Sequence, residues 1–251
     1  MNRPDNDNQF IYQIENCSKY EIRETASDKP VYIFDDHNMA FSAWGTIASR
    51  NKKNYQLLSF DHHTDTHEPF VKSKASGEYD PALLKNCHLT KEDFVFEHSF
   101  HVSNLLNNDE QIKAAYKFGY LRGYLIVCDL QPSECNSYQA DDRSDGYPRA
   151  EYCSRSNAES TLKQKMLSLL SEPLIIDFDL DYFRNEDDLS GVLFETIKPL
   201  LEHASAITIA KEPTYFNKLK LDPKLNVDRA LKLLLSKIKA LKVIHPTTCQ
   251  H

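Results

Sequence analysis

The chain of 251 residues is long enough for one large α/β core, because single-core domains extend to roughly 250 residues before chains divide. Hydrophobic residues make up 41% of it and aromatic residues 11%, with only 6 Gly and 11 Pro, which excludes collagen-like, low-complexity and disordered proteins. The formal charge of −7 has the wrong sign for gripping a phosphate backbone, so we expect no nucleic-acid partner.

The chain shows no membrane or export signal. Its N-terminus has no apolar stretch of signal-peptide length, and no run of about 18 apolar residues occurs, so we expect a cytoplasmic protein without membrane contact. Cysteine usage agrees with that location, because a cytosolic chain without a CxxC motif or regular spacing is expected to carry reduced thiols. The cysteines are at positions 17, 87, 128, 135, 153 and 249.

Short apolar runs alternate with helix-like segments along the chain, which predicts a three-layer α/β/α fold with a mainly parallel sheet. The predicted strands are, in order, VYIF (31–34), YQLLSF (55–60), YLIVCDL (124–130), PLIIDFDL (173–180) and AITIA (206–210). The predicted helices are 38–50, 101–119, 158–171, 188–204 and 227–243. We interpret 1–251 as a single catalytic domain.

One segment interrupts this alternation. Residues 131–157 are the poorest in apolar side chains, and about 27 residues exceed what a structureless connection needs. We predict a long loop or insertion there, which either covers a site or is partly disordered.

Acidic and histidine residues follow three of the predicted strands. The carboxyl ends of parallel strands are where ligands collect, so we expect these side chains to converge. In an extended tail, residues two apart share a face, so Asp61, His63 and Asp65 should point together while His62 points away, and the three aspartates of the last cluster have the same parity. The clusters are Asp35-Asp36-His37-Asn38, Asp61-His62-His63-Thr64-Asp65 and Asp177-Phe178-Asp179-Leu180-Asp181.

Carboxylates packed this densely need a cation, because like charges and desolvation both oppose their ionisation. The absence of thiolates from the clusters favours manganese or magnesium, while the histidines also admit iron, nickel or zinc. The charges of Asp61, Asp65, Asp179 and Asp181 sum to −4, which two divalent ions cancel. Each cluster alone is also a common turn or capping sequence, and it is their coincidence that indicates a metal site.

These clusters resemble the metal-binding signature of the ureohydrolase superfamily, the arginases and agmatinases. The family's elements appear here in the family's order, as Asp36-His37-Asn38, Asp61-His62-His63-Thr64-Asp65, Phe178-Asp179-Leu180-Asp181 and Glu212-Pro213. The phrases VYIFDDHNMAFSAW, LLSFDHHTD and IIDFDLDYF are most similar to the peptide arginase branch.

The resemblance implies an arginase-like fold and two Mn²⁺ ions per chain. One ion would be held by His37, Asp61, Asp65 and Asp179, and the other by Asp61, His63, Asp179 and Asp181. The family's third motif continues in Asp-Pro, whereas this chain has Tyr182-Phe183, so Asp177 with Asp179 remains an alternative to Asp179 with Asp181.

The implied reaction converts arginine side chains of a ribosomally synthesised precursor peptide to ornithine, releasing urea, through a hydroxide held between the two ions. Glu212 would orient the guanidinium, although it also fits a simple cap before Pro213. Asp65 would accept a proton, and the proton shuttle would be His101, then His98, then His67.

Other functions remain open at this stage. The runner-up is hydrolysis of free arginine, agmatine or another small guanidino compound, and an acyl-lysine hydrolase ranks third. A non-catalytic module that binds an arginine-containing peptide is a further alternative. The stretch VKSKASGEYDPALLKN matches poorly the loop with which free-arginine enzymes hold the substrate's α-amino and α-carboxylate groups, which favours a peptide substrate. The sequence carries no prediction of oligomeric state.

Overall fold

A computed structural model describes residues 10–12, 20–24, 29–69, 102–103, 105–189 and 191–240. Within these ranges eight strands form one sheet, in the order β1-β2-β3-β8-β7-β4-β5-β6. The six strands from β3 to β6 in that order are all parallel, and β1 and β2 extend the sheet as antiparallel strands. The strands are β1 (Phe10–Tyr12), β2 (Tyr20–Glu24), β3 (Pro30–Phe34), β4 (Tyr55–Phe60), β5 (Leu121–Cys128), β6 (Ala150–Ser154), β7 (Leu174–Asp179) and β8 (Ala206–Ala210).

Helices cover both faces of the sheet in the described part of the chain. They are α1 (Ala40–Asn51), α2 (Gln111–Lys117), α3 (Pro132–Ser144), α4 (Ala158–Leu170), α5 (Val192–His203), α6 (Pro213–Leu219) and α7 (Val227–Lys239). One hydrophobic core cluster lies between one face of the sheet and helices α1, α2 and α3. A second core cluster lies between the opposite face and helices α4, α5, α6 and α7. The predicted three-layer α/β/α architecture with a mainly parallel sheet is therefore confirmed.

The strands read as continuous apolar runs because the sheet is buried on both sides. Tyr32 and Phe34 of β3 join the core beside α1, whereas Val31 and Ile33 join the opposite core. The same alternation runs along β7, where Ile176 and Phe178 face α4 and α5. Asp177 and Asp179, which alternate with these two residues along β7, therefore face the layer of α1.

The predicted strands are confirmed, with β5 beginning at Leu121 rather than at residue 124. The predicted loop or insertion at 131–157 is wrong, because α3 and β6 occupy most of it. Only Cys135 and Asp142 of α3 are buried, so the helix carries almost no apolar stripe. It begins instead with local signals, a proline in the first turn and a capping box between Gln131 and Glu134.

Other boundaries differ more modestly. A helix is predicted at 101–119, and the described part of that range contains the shorter helix α2. The helix α6, which follows Glu212, is not predicted from the sequence.

Among the described cysteines, Cys128, Cys135 and Cys153 are free and buried. No helix in the described ranges is both long and apolar enough to cross a membrane.

A buried polar network joins α3 to the rest of the α1 layer. Asp142 of α3 accepts hydrogen bonds from the hydroxyls of Tyr124, at 2.6 Å, and Tyr152, and it pairs with Lys113 of α2 at 2.8 Å. The Tyr152 hydroxyl is also hydrogen-bonded to Thr66, at 2.7 Å, in the segment that follows β4. The network therefore fixes that segment against α3.

We expect Asp142→Ala to lower the free energy of unfolding by about 3–5 kcal/mol, because it removes one partner of a buried ion pair and leaves Lys113 without its nearest carboxylate. Urea denaturation measures the change. Asp141→Ala removes an exposed carboxylate one residue away on the same helix and should change stability by less than about 0.5 kcal/mol. Equal effects of the two substitutions would contradict the role assigned to this network.

Candidate metal centre

The acidic and histidine residues singled out in the sequence meet at the carboxyl ends of four adjacent strands, β3, β8, β7 and β4. Ligand atoms of three residue groups lie within 4.8 Å of one another. The groups are His37 with Asp61 and Asp179, Asp61 with His63 and Asp181, and Asp179 with Asp181 and Glu212. Because each group shares a carboxylate with another, they form one continuous cluster.

His37 lies at the centre of this cluster and is fully buried. Its Nδ1 atom is 2.8 Å from Asp65 Oδ2, 3.3 Å from Asp179 Oδ2 and 3.4 Å from Asp61 Oδ2. Its other ring nitrogen, Nε2, is 2.8 Å from Asp177 Oδ2. The imidazole thus separates three carboxylates on one side from a fourth on the other.

The carboxylates are held by backbone N–H groups through one oxygen each. Asp61 Oδ1 accepts from the His63 N–H at 2.7 Å, Asp179 Oδ1 from the Asp181 N–H at 3.1 Å, and Asp181 Oδ1 from the His62 N–H at 3.2 Å. Among the described residues, Asp61 Oδ2, Asp181 Oδ2 and His37 Nδ1 are buried without a hydrogen-bond partner. Buried acceptors without donors are the atoms a cation would bind.

The pKa values of the residues in the cluster also indicate a cation site. The pKa values of Asp61 and Asp179 are raised well above the usual range, first by burial and then by the neighbouring charges of Asp65 and Asp181 respectively. Burial acts to lower the pKa of His37, but the charge and hydrogen bond of Asp177, together with the contacts to Asp179 and Asp61, outweigh burial, so the pKa of His37 also lies well above its usual value. A site that holds protons this strongly is one that lacks positive charge. The donor set, carboxylates with imidazoles and no thiolate, fits a hard divalent cation.

Two site residues have backbone conformations unusual for residues other than glycine. Asp65 has φ of 49° and Glu212 has φ of 35°, and left-handed geometry costs on the order of 1–3 kcal/mol outside glycine. The turn at Asp65 brings its carboxylate to His37, where Gln111 of α2 holds Oδ2 by a hydrogen bond of 2.7 Å. The sequence predicts an extended backbone from Asp61 to Asp65, but that description holds only as far as His63.

Glu212 combines this backbone geometry with a buried side chain at the end of β8. Its Oε1 accepts hydrogen bonds from Asn108 Nδ2 at 2.7 Å and from the His37 N–H at 3.2 Å. Burial raises the pKa of Glu212 to about 7; the nearby His37 opposes this rise, while the charges of Asp65 and Asp181 add to it. Glu212 also precedes the first turn of α6, but its side chain does not cap that helix.

The structure distinguishes the two aspartate pairs left open by the sequence. Asp179 and Asp181 contribute atoms to the cluster, whereas Asp177 contacts His37 from the opposite side and lies one row deeper in the sheet. His63 is close to Asp181 at 3.4 Å, with its side chain 46% exposed. His62 points away from the cluster, toward Asp129 at 3.7 Å, as the alternation of side chains predicts.

Only one of the three candidate proton shuttles can be placed. His101 and His98 lie outside the described residues. His67 lies on the wall of the open cavity beside the cluster, and its Nδ1 is 3.1 Å from Asp109 Oδ2.

Sequence reasoning missed two side chains that hold the ligands. Gln111 and Asn108 belong to a segment far along the chain from Asp65 and Glu212, so spacing carries no signal for them. The sequence pointed to Asn38 only weakly, as a member of the first cluster of acidic and histidine residues. Its Nδ2 donates to the carbonyls of Ser103 at 3.0 Å and Leu106 at 3.1 Å, which holds the Asn108 segment beside the site.

The cavity beside the cluster has a volume of about 750 Å³. Four carboxylates contribute to its wall, those of Asp65, Asp109, Asp129 and Glu212, whereas the described lining residues include no lysine or arginine. A positively charged ligand is therefore favoured in it.

Comparisons with known proteins give distant similarities. No protein-family model and no curated protein matches the chain. Among solved structures, the chain is similar to proclavaminate amidino hydrolase from Streptomyces clavuligerus, with a TM-score of 0.48 and 11% identity, covering 84% of this chain and 62% of that one. It is also similar to a hypothetical agmatinase from Burkholderia thailandensis, with a TM-score of 0.48 and 13% identity, covering 83% and 57% respectively. The chain thus spans less than two thirds of either protein.

The charges of the cluster predict how Mn²⁺ changes thermal stability. In the metal-free protein the raised pKa values, about 7 for Glu212, make the folded state bind more protons than the unfolded chain above pH ~4. Stability is therefore lost as pH rises through that window, and we expect the melting temperature of chelator-treated protein to fall between pH 6 and pH 8. Mn²⁺ at 100 times its Kd should raise the melting temperature by about 5–10 °C at pH 8, and by less at pH 6, where protons compete.

Differential scanning fluorimetry with and without chelator measures these shifts, and NaCl at equal ionic strength is the control. A melting temperature that Mn²⁺ leaves unchanged at pH 8 would contradict a metal centre at this cluster.

Proposed function

We propose that the protein is a metal-dependent hydrolase of guanidino groups, and that its substrate is an arginine side chain of a peptide, converted to ornithine with release of urea. The observation that carries the proposal is the cluster of buried, unpartnered ligand atoms with Glu212 beside it, at the edge of an anionic cavity. The order of motifs along the chain, which resembles that of the ureohydrolases, supports the same reaction.

His37, Asp61, Asp65, Asp179, His63 and Asp181 would hold two divalent ions, with Asp61 and Asp179 shared between them. When bound, such a pair of ions lowers the pKa of a water between them from 15.7 toward about 7 and so supplies a nucleophile at neutral pH. We assign the ions as Mn²⁺ because carboxylates dominate the donor set.

Glu212 would bind the substrate's guanidinium group. Within the described residues, the hydrogen bonds to its side chain from Asn108 and His37 both end on Oε1, which leaves Oε2 for a ligand. A guanidinium is protonated at any working pH, so its charge would keep the buried Glu212 ionised through paired hydrogen bonds. Asn108 would thus orient the Glu212 carboxylate, which in turn would orient the guanidinium group of the substrate.

Proton transfer would use groups next to the bound guanidinium. Asp65, which is buried in the cluster, would accept a proton from the nucleophile. The leaving amine needs a proton from a group exchanging with solvent, and a histidine suits this step. His101 remains our first assignment for that role, with His98 and His67 as the alternatives.

The charges of the cavity support a substrate without a free carboxylate. Free arginine would bring its α-carboxylate into a cavity walled by Asp109 and Asp129, whose described lining includes no lysine or arginine. An arginine within a peptide avoids this repulsion, and so does agmatine. Peptidyl arginine is our proposal, and agmatine or another small guanidino compound is the second candidate.

Two amide substitutions should separate metal binding from turnover. Asp61→Asn should lose both bound metal and activity, because it removes charge from a shared ligand. Glu212→Gln should keep the metal and lose turnover by about 100-fold or more, because it removes the charge that pairs with guanidinium. Metal analysis and urea release measure the two properties.

Asp35→Asn serves as the control. Asp35 and His37 both follow β3, but Asp35 pairs with Lys211 and lies outside the cluster. It should retain both metal and activity. Wild-type activity in either the Asp61 or the Glu212 variant would mean that the site is misplaced.

Substrate class is tested by incubating the protein and Mn²⁺ with an arginine-containing peptide, agmatine or free arginine. We expect the peptide to lose about 42 Da per converted arginine by mass spectrometry, the change that arginine-to-ornithine conversion requires. Faster urea release from agmatine than from any arginine peptide would favour the second candidate. Binding of the peptide without a mass change, in protein loaded with metal, would favour a non-catalytic binding module.

A further inference from the structure

A further aspartate, Asp177, lies beneath the cluster and contributes no atom to it. Asp177 is fully buried, and within the described residues its carboxylate accepts from hydrogen-bond donors on both oxygens. Oδ2 is 2.8 Å from His37 Nε2 and accepts from Ser59 Oγ at 2.9 Å, while Oδ1 accepts from Thr208 Oγ1. All of these contacts lie within the sheet or directly above it.

The donors come from a row that the sheet register creates. Ser59 of β4 pairs with Asp177 of β7, which pairs with Thr208 of β8, so the three side chains stand side by side on one face. Trp44 of α1 donates from Nε1 to Thr208 Oγ1 at 3.2 Å, which leaves the Thr208 hydroxyl proton for Asp177. The carboxylate is thereby fixed by the two neighbouring strands, and α1 supports it through Thr208.

This arrangement sets the state of His37. Both ring nitrogens face carboxylate oxygens, so when Nδ1 binds a cation the proton of the neutral imidazole resides on Nε2 and is donated to Asp177. The lone pair of Nδ1 then faces Asp61, Asp65 and Asp179, the atoms that would surround a cation. An imidazole whose second nitrogen donates to a carboxylate is held in one orientation and is a stronger ligand.

The position requires an explanation because a charge there is costly. A carboxylate inside a sheet loses its hydration before it is paired, and a neutral side chain would satisfy Ser59 and Thr208 without that loss. What a neutral residue would not supply is a charged acceptor for His37 Nε2.

We propose that Asp177 is a positioning residue, which fixes the tautomer and orientation of His37 and so strengthens its binding of a metal ion through Nδ1. This inference rests on the metal site of the proposed function, but not on the guanidino substrate.

The test measures binding of Mn²⁺ alone to the full-length chain, by the loss of the free ion's electron paramagnetic resonance signal. We expect Asp177→Ala to weaken Mn²⁺ binding about 10- to 100-fold, the usual effect of removing such a partner. Asp177→Asn should recover part of the affinity, because its amide oxygen still accepts from Nε2. Thr208→Val, which loosens Asp177 without removing it, should weaken binding by a smaller factor.

A second readout separates positioning from general destabilisation. The visible absorption of Co²⁺-loaded protein reports the ligand field, and it should change in Asp177→Ala. Ile176→Val is the matched control: Ile176 is the preceding residue on β7 and is equally buried, but it faces the opposite core. It should lower the melting temperature while leaving both the Mn²⁺ affinity and the Co²⁺ spectrum unchanged.

The outcomes separate the two claims. Wild-type affinity in Asp177→Ala, or an affinity loss no larger than that of Ile176→Val, would overturn the inference while leaving the metal site in place. If Asp177→Ala does not fold, wild-type affinity in both Asp177→Asn and Thr208→Val would overturn it. Failure of the wild-type protein to bind Mn²⁺ would overturn the metal site, and this inference with it.

Discussion

Mutual repulsion among buried carboxylates is the constraint on which the arrangement of this molecule depends. Asp61, Asp179 and Asp181 are almost fully buried within a few ångströms of one another, and among the described residues His37 and His63 lie between them as neutral or positive groups. Such a cluster is tolerable when backbone N–H groups fix one oxygen of each carboxylate and a cation takes the other. The sheet supplies that geometry because β3, β8, β7 and β4 are consecutive in it, although they are far apart along the chain.

The alternation of side chains along β7 divides the site into two levels. Asp177 and Asp179 face the same layer, one pleat apart, yet they have different partners. The deeper one meets hydroxyl groups from β4 and β8, whereas the outer one meets other acids. Identical side chains on one strand can therefore serve different purposes, the difference being set by depth in the sheet rather than by residue type.

Much of this was predictable from the sequence, for physical reasons that differ by feature. Strands buried on both faces leave uninterrupted apolar runs, and acids at their ends mark the edge where a ligand binds. The polar helix α3 left no such trace, since its stability comes from its first-turn capping and from Asp142 rather than from an apolar stripe. Gln111 and Asn108 were invisible for another reason: only the folded chain brings their segment beside Asp65 and Glu212.

The dispersal of the ligands over four segments has a consequence for how the protein matures. His37, Asp61, Asp179 and Glu212 are contributed by strands separated by as many as 175 positions in sequence, the span that joins His37 to Glu212. No short stretch of a nascent chain contains a complete set of these residues, so a metal ion proposed for this site would bind after the sheet has assembled. Such an ion would stabilise a fold that has already formed, unlike the zinc of small finger domains, which is needed to fold them at all.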